Sequence, residues 1–388
     1  MQAFVFTDEA LERHAGRFVW LSIDTERPEN AAFVERYPVE AWPTLMVIDP
    51  SDGSVVVRWL GGMTVPQLVR LLDDAERALS GHSGGAAEAA LAEADRLYGA
   101  GRVTEAIASW QRALELAPPK WTERPRVVES TLLAMLTADQ APRCVELARA
   151  ELPGMASSPS RANAAAVGLF CALGLERADP ARAPAIAELE TAVQAELEQA
   201  LGPHGTLNAD DVSGLYDALV SAREDAGDEA GKRAVAQRWA SYLEAQAAKA
   251  PNAEARAVFD SHRLSAYLAL GEVARAVPML EASEKALPGD YNPPARLAYA
   301  LFKLGRFKDA LAANDRALRL VYGPSKLRVL ENRAEILEGM NDLAGAEKAL
   351  RDAIAAWEAL PQAQQREQVR QRLERALEAL EARRGMKH

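Results

Sequence analysis

The sequence has 388 residues, of which 49% are hydrophobic, 6% aromatic and 26% charged. That length leaves room for two or more ordinary domains, and the low aromatic share points to a core of Ala and Leu in close helix–helix packing. A net charge of −11 reads against a nucleic-acid or anionic-membrane partner, whose phosphates need clustered Lys and Arg.

Residues 1–6 are short and apolar. Thr7, Asp8 and Glu9 then open a short helix to His14, with Thr7 as the N-cap and the acids on the helix dipole. Gly16 ends it. The run RFVWLSID, residues 17–24, reads as a buried strand. Residues 27–36 form a second helix with Pro28 in its first turn. Two β-rich runs, residues 44–49 and 54–60, flank Pro50, Ser51, Asp52 and Gly53, which is the chemistry of a hairpin turn. Pro43 opens the first of these strands, where its missing N–H does least harm. After Gly61 and Gly62, Thr64 caps a third helix with Leu68, Leu71, Leu72 and Leu79 on one stripe.

That order, helix, strand, helix, strand, strand, helix, resembles the thioredoxin fold over residues 1–80. The residues that carry the resemblance are SIDTERPENAAFVERYPVEAWPTLMVID, VVVRWLGG and TVPQLVRLL. The resemblance implies that Pro43 is a cis-proline, and that Trp42, Pro43 and Thr44 form the loop that offers its backbone to an extended substrate. It also implies a strand and a CxxC motif that this sequence lacks. That lost strand is central in the family's sheet, between residues 17–24 and 44–49, so the expectation is either a start upstream of Met1 or a remnant that closes its sheet differently, docks on the helical array or accepts a strand from a partner. Residues 1–80 alone are expected to fold poorly, and residues 86–388 to be helical and cooperative.

Residues 81–85, Gly-His-Ser-Gly-Gly, read as a linker. Beyond them almost no strand signal remains, and an internal repeat appears. Ala94, Leu97, Gly101, Ala106, Trp110, Ala113 and Pro118 recur at the same spacing as Ala298, Leu301, Gly305, Ala310, Asn314, Ala317 and Tyr322. Gly271, Ala276, Leu280, Ser283 and Pro288 form a third copy, and Ala334, Leu337, Leu343, Ala346, Leu350 and Ala353 a fourth. The spacing resembles the tetratricopeptide repeat, with a period of about 34 residues. The small residues sit where paired helices approach most closely, and the glycines permit the tight turn after each first helix.

Between residues 120 and 252 the match degrades into three longer helix pairs, about 126–152, 161–201 and 209–249. Residues 361–388 form a charged helix with a thin stripe of Leu373, Leu377 and Leu380, the polar cap a solenoid end requires. The fold class expected is therefore an α/β thioredoxin-like remnant at 1–80, then an all-α tetratricopeptide-type solenoid at 86–360 with its capping helix.

No phosphate loop, HExxH, GxSxG or calcium-loop pattern occurs. The five histidines (His14, His82, His204, His262 and His388) are scattered and read as surface or linker residues, so no metal site, cofactor or catalytic residue is expected. Cys144 and Cys171 lie on apolar helical faces and make neither a CxxC nor a disulfide framework. They read as buried structural thiols, with a spatially adjacent redox pair as the sharper alternative.

By analogy with the repeat family, the inward positions of the best copy are Arg296, Tyr299, Phe302 and Lys303. Those of the next copy are Arg328, Asn332, Glu335 and Glu338. They do not reproduce the family's clamp for a C-terminal carboxylate, because Tyr299 and Glu335 stand where that clamp needs Asn or a cation.

The function expected is a protein- or peptide-binding scaffold with no redox cysteines of its own. The alternative is a thiol-disulfide oxidoreductase, a redox-homeostasis protein of bacterial type, whose CxxC lies upstream and whose repeats recruit clients. No apolar run is long enough to span a bilayer. As written the chain is expected in the cytoplasm, and in the periplasm if a signal lies upstream.

Overall fold

The computed structural model describes residues 5–39, 42–79, 85–118, 120–203 and 205–385. The chain begins with a 3-10 helix, Glu9–His14, in place of the expected α-helix. Its N-cap is Asp8, whose Oδ1 accepts from Ala10 N at 2.9 Å, so the capping role falls one residue later than Thr7. Gly16, at φ +75°, turns the chain out of it.

The strand expected at residues 17–24 does not form. Val19 is 88% exposed and Leu21 74%, the reverse of a buried strand. A strand exists only through its ladder, and this run has the side chains of a strand without a partner to bond. The second expected helix begins as a 3-10 turn, Pro28–Asn30, and becomes helix α1 only over Ala31–Arg36.

The hairpin forms as read. Strand β1, Thr44–Ile48, pairs antiparallel with β2, Val55–Leu60, from Thr44 opposite Leu60 to Ile48 opposite Val55, with a bulge between Val47 and Ile48. Asp49 and Asp52 close the turn by accepting from Ser51 N (2.8 Å) and Ser54 N (2.7 Å). Gly53 takes the left-handed conformation there.

Helix α2, Val65–Leu79, follows. Its cap runs opposite to the expected sense: Gln67 Oε1 accepts from Thr64 N at 2.8 Å, the returning half of a capping box. Leu68, Leu71 and Leu72 are buried with Met63, Trp59 and Val47, whereas Leu79 is exposed. Among the described residues, the sheet of this region is a two-stranded ribbon with its helix.

Helices pair in sequence from there: α3 (Ala86–Gly99) with α4 (Val103–Leu116), α5 (Arg124–Thr137) with α6 (Ala141–Glu151), α7 (Pro159–Leu173) with α8 (Arg182–Leu201), and α9 (Ala209–Asp225) with α10 (Glu229–Lys249). A short α11, Ala253–Ala257, leads into α12 (Asp260–Leu270) and α13 (Ala276–Ala286). The pairs α14 (Asn292–Lys303) with α15 (Phe307–Leu320) and α16 (Ser325–Gly339) with α17 (Leu343–Glu358) come next, and α18, Glu367–Gly385, packs on α17.

One turn recurs between paired helices. The N–H of Arg102 bonds to Leu97 O at 3.0 Å, and the same six-residue closure joins Gln140 to Met135, Asp228 to Arg223, Glu272 to Tyr267, Arg306 to Leu301 and Asp342 to Leu337. The residue before each donor is left-handed: Gly101, Asp139, Gly227, Gly271, Gly305 and Asn341. This is the Schellman closure of a helix C-terminus, and its repetition identifies the array as repeats of one helix–turn–helix unit. The pair α7/α8 departs from it, with a longer connection over residues 174–181.

The chain divides into two units, one of residues 1–20 and 39–239, the other of residues 21–38 and 240–388. In the first unit, Cys144 on α6 and Cys171 on α7 form a disulfide, and both are fully buried. Two cysteines 27 residues apart thus meet between these helices, which the spacing alone did not disclose. A Cβ at Gly168 would lie 2.9 Å from Ala148 Cβ, so glycine is what admits the contact.

In the second unit, residues 24–36 lie on the connections between helix pairs. Tyr322 donates to Asp24 at 2.6 Å, Ser325 to Glu26 at 2.6 Å, and Gln364 Nε2 to Thr25 O at 2.7 Å. The Arg27 guanidinium stacks 4.0 Å over the Tyr322 ring. The capping helix α18 buries Leu373 and Leu380, and ties to α16 through Arg372–Glu331 (2.8 Å) and Arg383–Glu338 (2.7 Å). No helix among the described residues is long and apolar enough to cross a membrane.

Candidate peptide-binding surface

The first helices of the pairs carry buried or half-buried polar residues. In the first unit these residues are already engaged. Asp95 on α3 accepts from Trp110 Nε1 at 3.1 Å and from Arg126 on α5 at 2.6 Å. Arg126 also donates to the backbone carbonyl of Arg58 on β2. The Arg58 side chain lies over Gly99, where any Cβ would meet the guanidinium, and burial pulls that guanidinium below its usual range.

One turn along α5, Glu129 accepts from Asn163 Nδ2 of α7 at 2.9 Å, and the same amide donates to Asp211 of α9 at 3.1 Å. Burial raises both carboxyls, Asp211 to about 7. Gln67 of α2 reaches Ser160 of α7 at 3.4 Å. Residues of β2 and α2 therefore bond directly to the first helices of the repeats in this unit.

The second unit differs. On α14, Tyr299, Phe302 and Lys303 come together: the Lys303 ammonium lies 5.1 Å from the Tyr299 ring and 5.4 Å from Phe302. Phe302 also meets Phe307, 6.1 Å away at the start of α15. Arg296 stands apart from this cluster, nearer the start of α14. It makes no hydrogen bond or ion pair among the described residues, and burial lowers its pKa while the buried Asp260 carboxylate opposes that shift.

Arg328 of the neighbouring helix α16 is close enough to Arg296 for their charges to repel. One turn on, Asn332 has both amide atoms buried and unbonded. Glu338, expected to face inward, is instead committed to Arg383 of α18. Sequence spacing found Tyr299, Phe302 and Lys303 as a group. It gave no sign that Asn332 would be left unsatisfied, because that depends on what neighbouring helices fail to offer.

The Trp42–Pro43 bond is cis, Trp42 is 57% exposed, and Pro43 O accepts from Gly61 N at 2.8 Å. Both cysteines of the sequence are spent in the disulfide between α6 and α7.

His14 is fully buried, contrary to the surface placement expected for it. The 3-10 helix packs it against α2, with Nε2 3.7 Å from Asp73 and Nδ1 4.0 Å from Glu76. The two acids also pair with Arg13 and Arg17. One ligand atom each of His14, Asp73 and Glu76 lies within 4.8 Å of the others, a grouping close enough to hold a cation, in which both acids are also engaged by arginines. His82, His204 and His388 lie outside the described residues.

No protein-family model matches this sequence, and neither does any curated protein sequence. Among solved structures the chain is similar to a thermophilic TPR protein of Thermus thermophilus, at 18% identity over 66% of this chain and 100% of that one, with a TM-score of 0.31. It is also similar to a chain of the APC/C hetero-tetramer Cut9–Hcn1, at 14% identity over 80% of this chain and 54% of that one, TM-score 0.36. The TPR2AB-domain complex of yeast Sti1 with pHSP90 matches at 15% identity over 77% of this chain and 100% of that one, TM-score 0.27. At such scores the assignment of the repeats rests on the chain's own helix pairing and recurrent turn.

Proposed function

We propose that the chain is a protein-interaction scaffold of the tetratricopeptide type, and that the first-helix face of α14 and α16 holds a peptide. The observation that carries this reading is Asn332 of α16, whose amide oxygen and nitrogen are buried and unbonded; on the adjacent helix α14, Arg296 makes no hydrogen bond among the described residues, and its charge is attracted by Asp260 and Asp290. A buried polar group without a hydrogen bond costs about 1–3 kcal/mol, and a ligand that satisfies it recovers that cost on binding. The chemistry of the pair favours acidic side chains on the peptide. Lys303 with Tyr299 and Phe302 offers a second, mixed aromatic and cationic contact.

The net charge of −11 is unfavourable to a nucleic-acid partner. An oxidoreductase reading would need thiols other than Cys144 and Cys171, and the thioredoxin-like assignment of residues 1–80 rests on the order of hairpin and helix alone. Disulfides persist in oxidising compartments, so of the two locations expected the paired cysteines favour the periplasmic one.

The test is fluorescence polarisation with an array of acidic, basic and neutral twelve-residue peptides. Acidic peptides are expected to bind, and Arg296→Ala with Asn332→Ala is expected to weaken them roughly tenfold, with unchanged circular dichroism. Equal binding of all classes, or binding insensitive to both substitutions, would refute the reading.

A further inference from the structure

Among the described residues, one edge of the first unit's hairpin is open, since β1 pairs with β2 alone. Two bonds frame the ladder, Gly61 N to Pro43 O at 2.8 Å and Asp49 N to Ser54 O at 2.9 Å. They set its alternation: odd-numbered residues of β1 exchange bonds with β2, and even-numbered ones turn their backbone groups away. Met46 and Ile48 therefore present N–H and C=O on the side opposite β2. The side chains of Leu45 and Val47 belong to the core formed with Trp59, Leu68 and Leu72.

Phe18 packs on that same core. Just past it, Val19 is 88% exposed and Trp20 46%. The Trp20 ring lies 6.0 Å from Phe6 and 6.4 Å from Phe18. An unladdered run and an open strand edge thus border one core, with large apolar side chains left in water.

We propose that this edge takes up an extended segment of a partner protein as a third strand, its alternate apolar side chains covering Phe6, Val19 and Trp20. The occupant follows from the chemistry. A pleated edge repeats its donors and acceptors at strand spacing, so another strand matches it, while a helix has its backbone groups already bonded. Size selects a peptide over a second copy of the chain. The five residues of β1 span about 16 Å, room for a short strand but not for the roughly 800 Å² per partner that holds a stable dimer. This surface is independent of the one on α14 and α16, and either can fail without the other.

The test uses the full chain and a capped Lys-Val-Thr-Val-Thr-Val-Lys peptide. Saturable binding is expected, with slower hydrogen exchange at the Met46 and Ile48 amides and no change at Leu45 and Val47, which are already bonded to β2. Met46→Pro removes an outward donor without touching the ladder and should weaken binding roughly tenfold. Val19→Lys, outside the hairpin, should weaken it by removing apolar cover. Absence of binding, or binding that leaves the Met46 and Ile48 amides unprotected, overturns the proposal. So does a concentration-dependent dimer that Met46→Pro abolishes, which would assign the edge to a second copy.

Discussion

Asp211 is a residue whose ionisation folding strongly alters. Unfolded, it gives up its proton near the ordinary 3.8; folded, burial holds that proton to about 7, with the nearby Glu129 charge acting in the same direction and the Asn163 amide opposing. Between those values the folded chain binds more protons than the unfolded one. Its contribution to stability is therefore fully present below the lower value, falls as pH rises across the window, and is gone above the upper one. Asp211→Asn keeps a neutral side chain that can still accept from Asn163. Relative to wild type it should gain on the order of a few kcal/mol between about pH 4 and about pH 8. Urea denaturation of both proteins at each pH measures this, and parallel pH profiles would show that Asp211 is ionised in the folded state.

Among the elements, the disulfide between α6 and α7 has the clearest consequence. It closes a loop of 27 residues, which in the chain-entropy picture restricts the unfolded state by about 3.5 kcal/mol. Reduction, or Cys144→Ala with Cys171→Ala, should lower the denaturation midpoint accordingly, with hydrogen exchange fastest to rise in α6 and α7. An unchanged midpoint would mean that the thiols are not joined in solution. The same pair shows the reach of sequence reading. Cys144 occupies the position of the small residue Ala106 in the first repeat, 38 residues on, so its burial was readable. Its partner was not, because α7 belongs to the one pair that departs from the repeat. The turns follow the same logic. Gly101, Gly271 and Gly305 marked their repeats, whereas Asp139 and Asn341 did the same work unnoticed, since the left-handed conformation tolerates these side chains. Residues 17–24 failed in the opposite direction: Phe18, Val19, Trp20 and Leu21 have the propensity of a strand, but propensity supplies no hydrogen-bond partner. On α14, helical spacing grouped Tyr299, Phe302 and Lys303, while the isolation of Asn332 on α16 depends on packing that spacing does not encode.

For the whole molecule, the organisation differs from a remnant domain attached to a free solenoid. Within the first unit, Arg58 and Gln67 bond or pack onto α3, α5 and α7, so the hairpin and α2 complete the burial of Arg126. Within the second unit, Asp24, Thr25 and Glu26 bond to Tyr322, Ser325 and Gln364 on the connections between helix pairs. Removing residues 1–84 should therefore leave a helical protein with two local lesions. Stripped of the Arg58 carbonyl, Arg126 keeps Asp95 but faces water, and Glu129 gains solvent access that lowers its desolvation penalty. Hydrogen exchange should speed up in α3 and α5, and separately around residues 322–325 and 361–364. The α14–α15 interface, which touches neither segment through a described hydrogen bond, should keep its protection. Uniform protection across the truncated chain would show that the N-terminal residues contribute nothing to either unit. Uniform loss would show that the repeats cannot hold their fold without them, because a solenoid needs each exposed face either polar or covered.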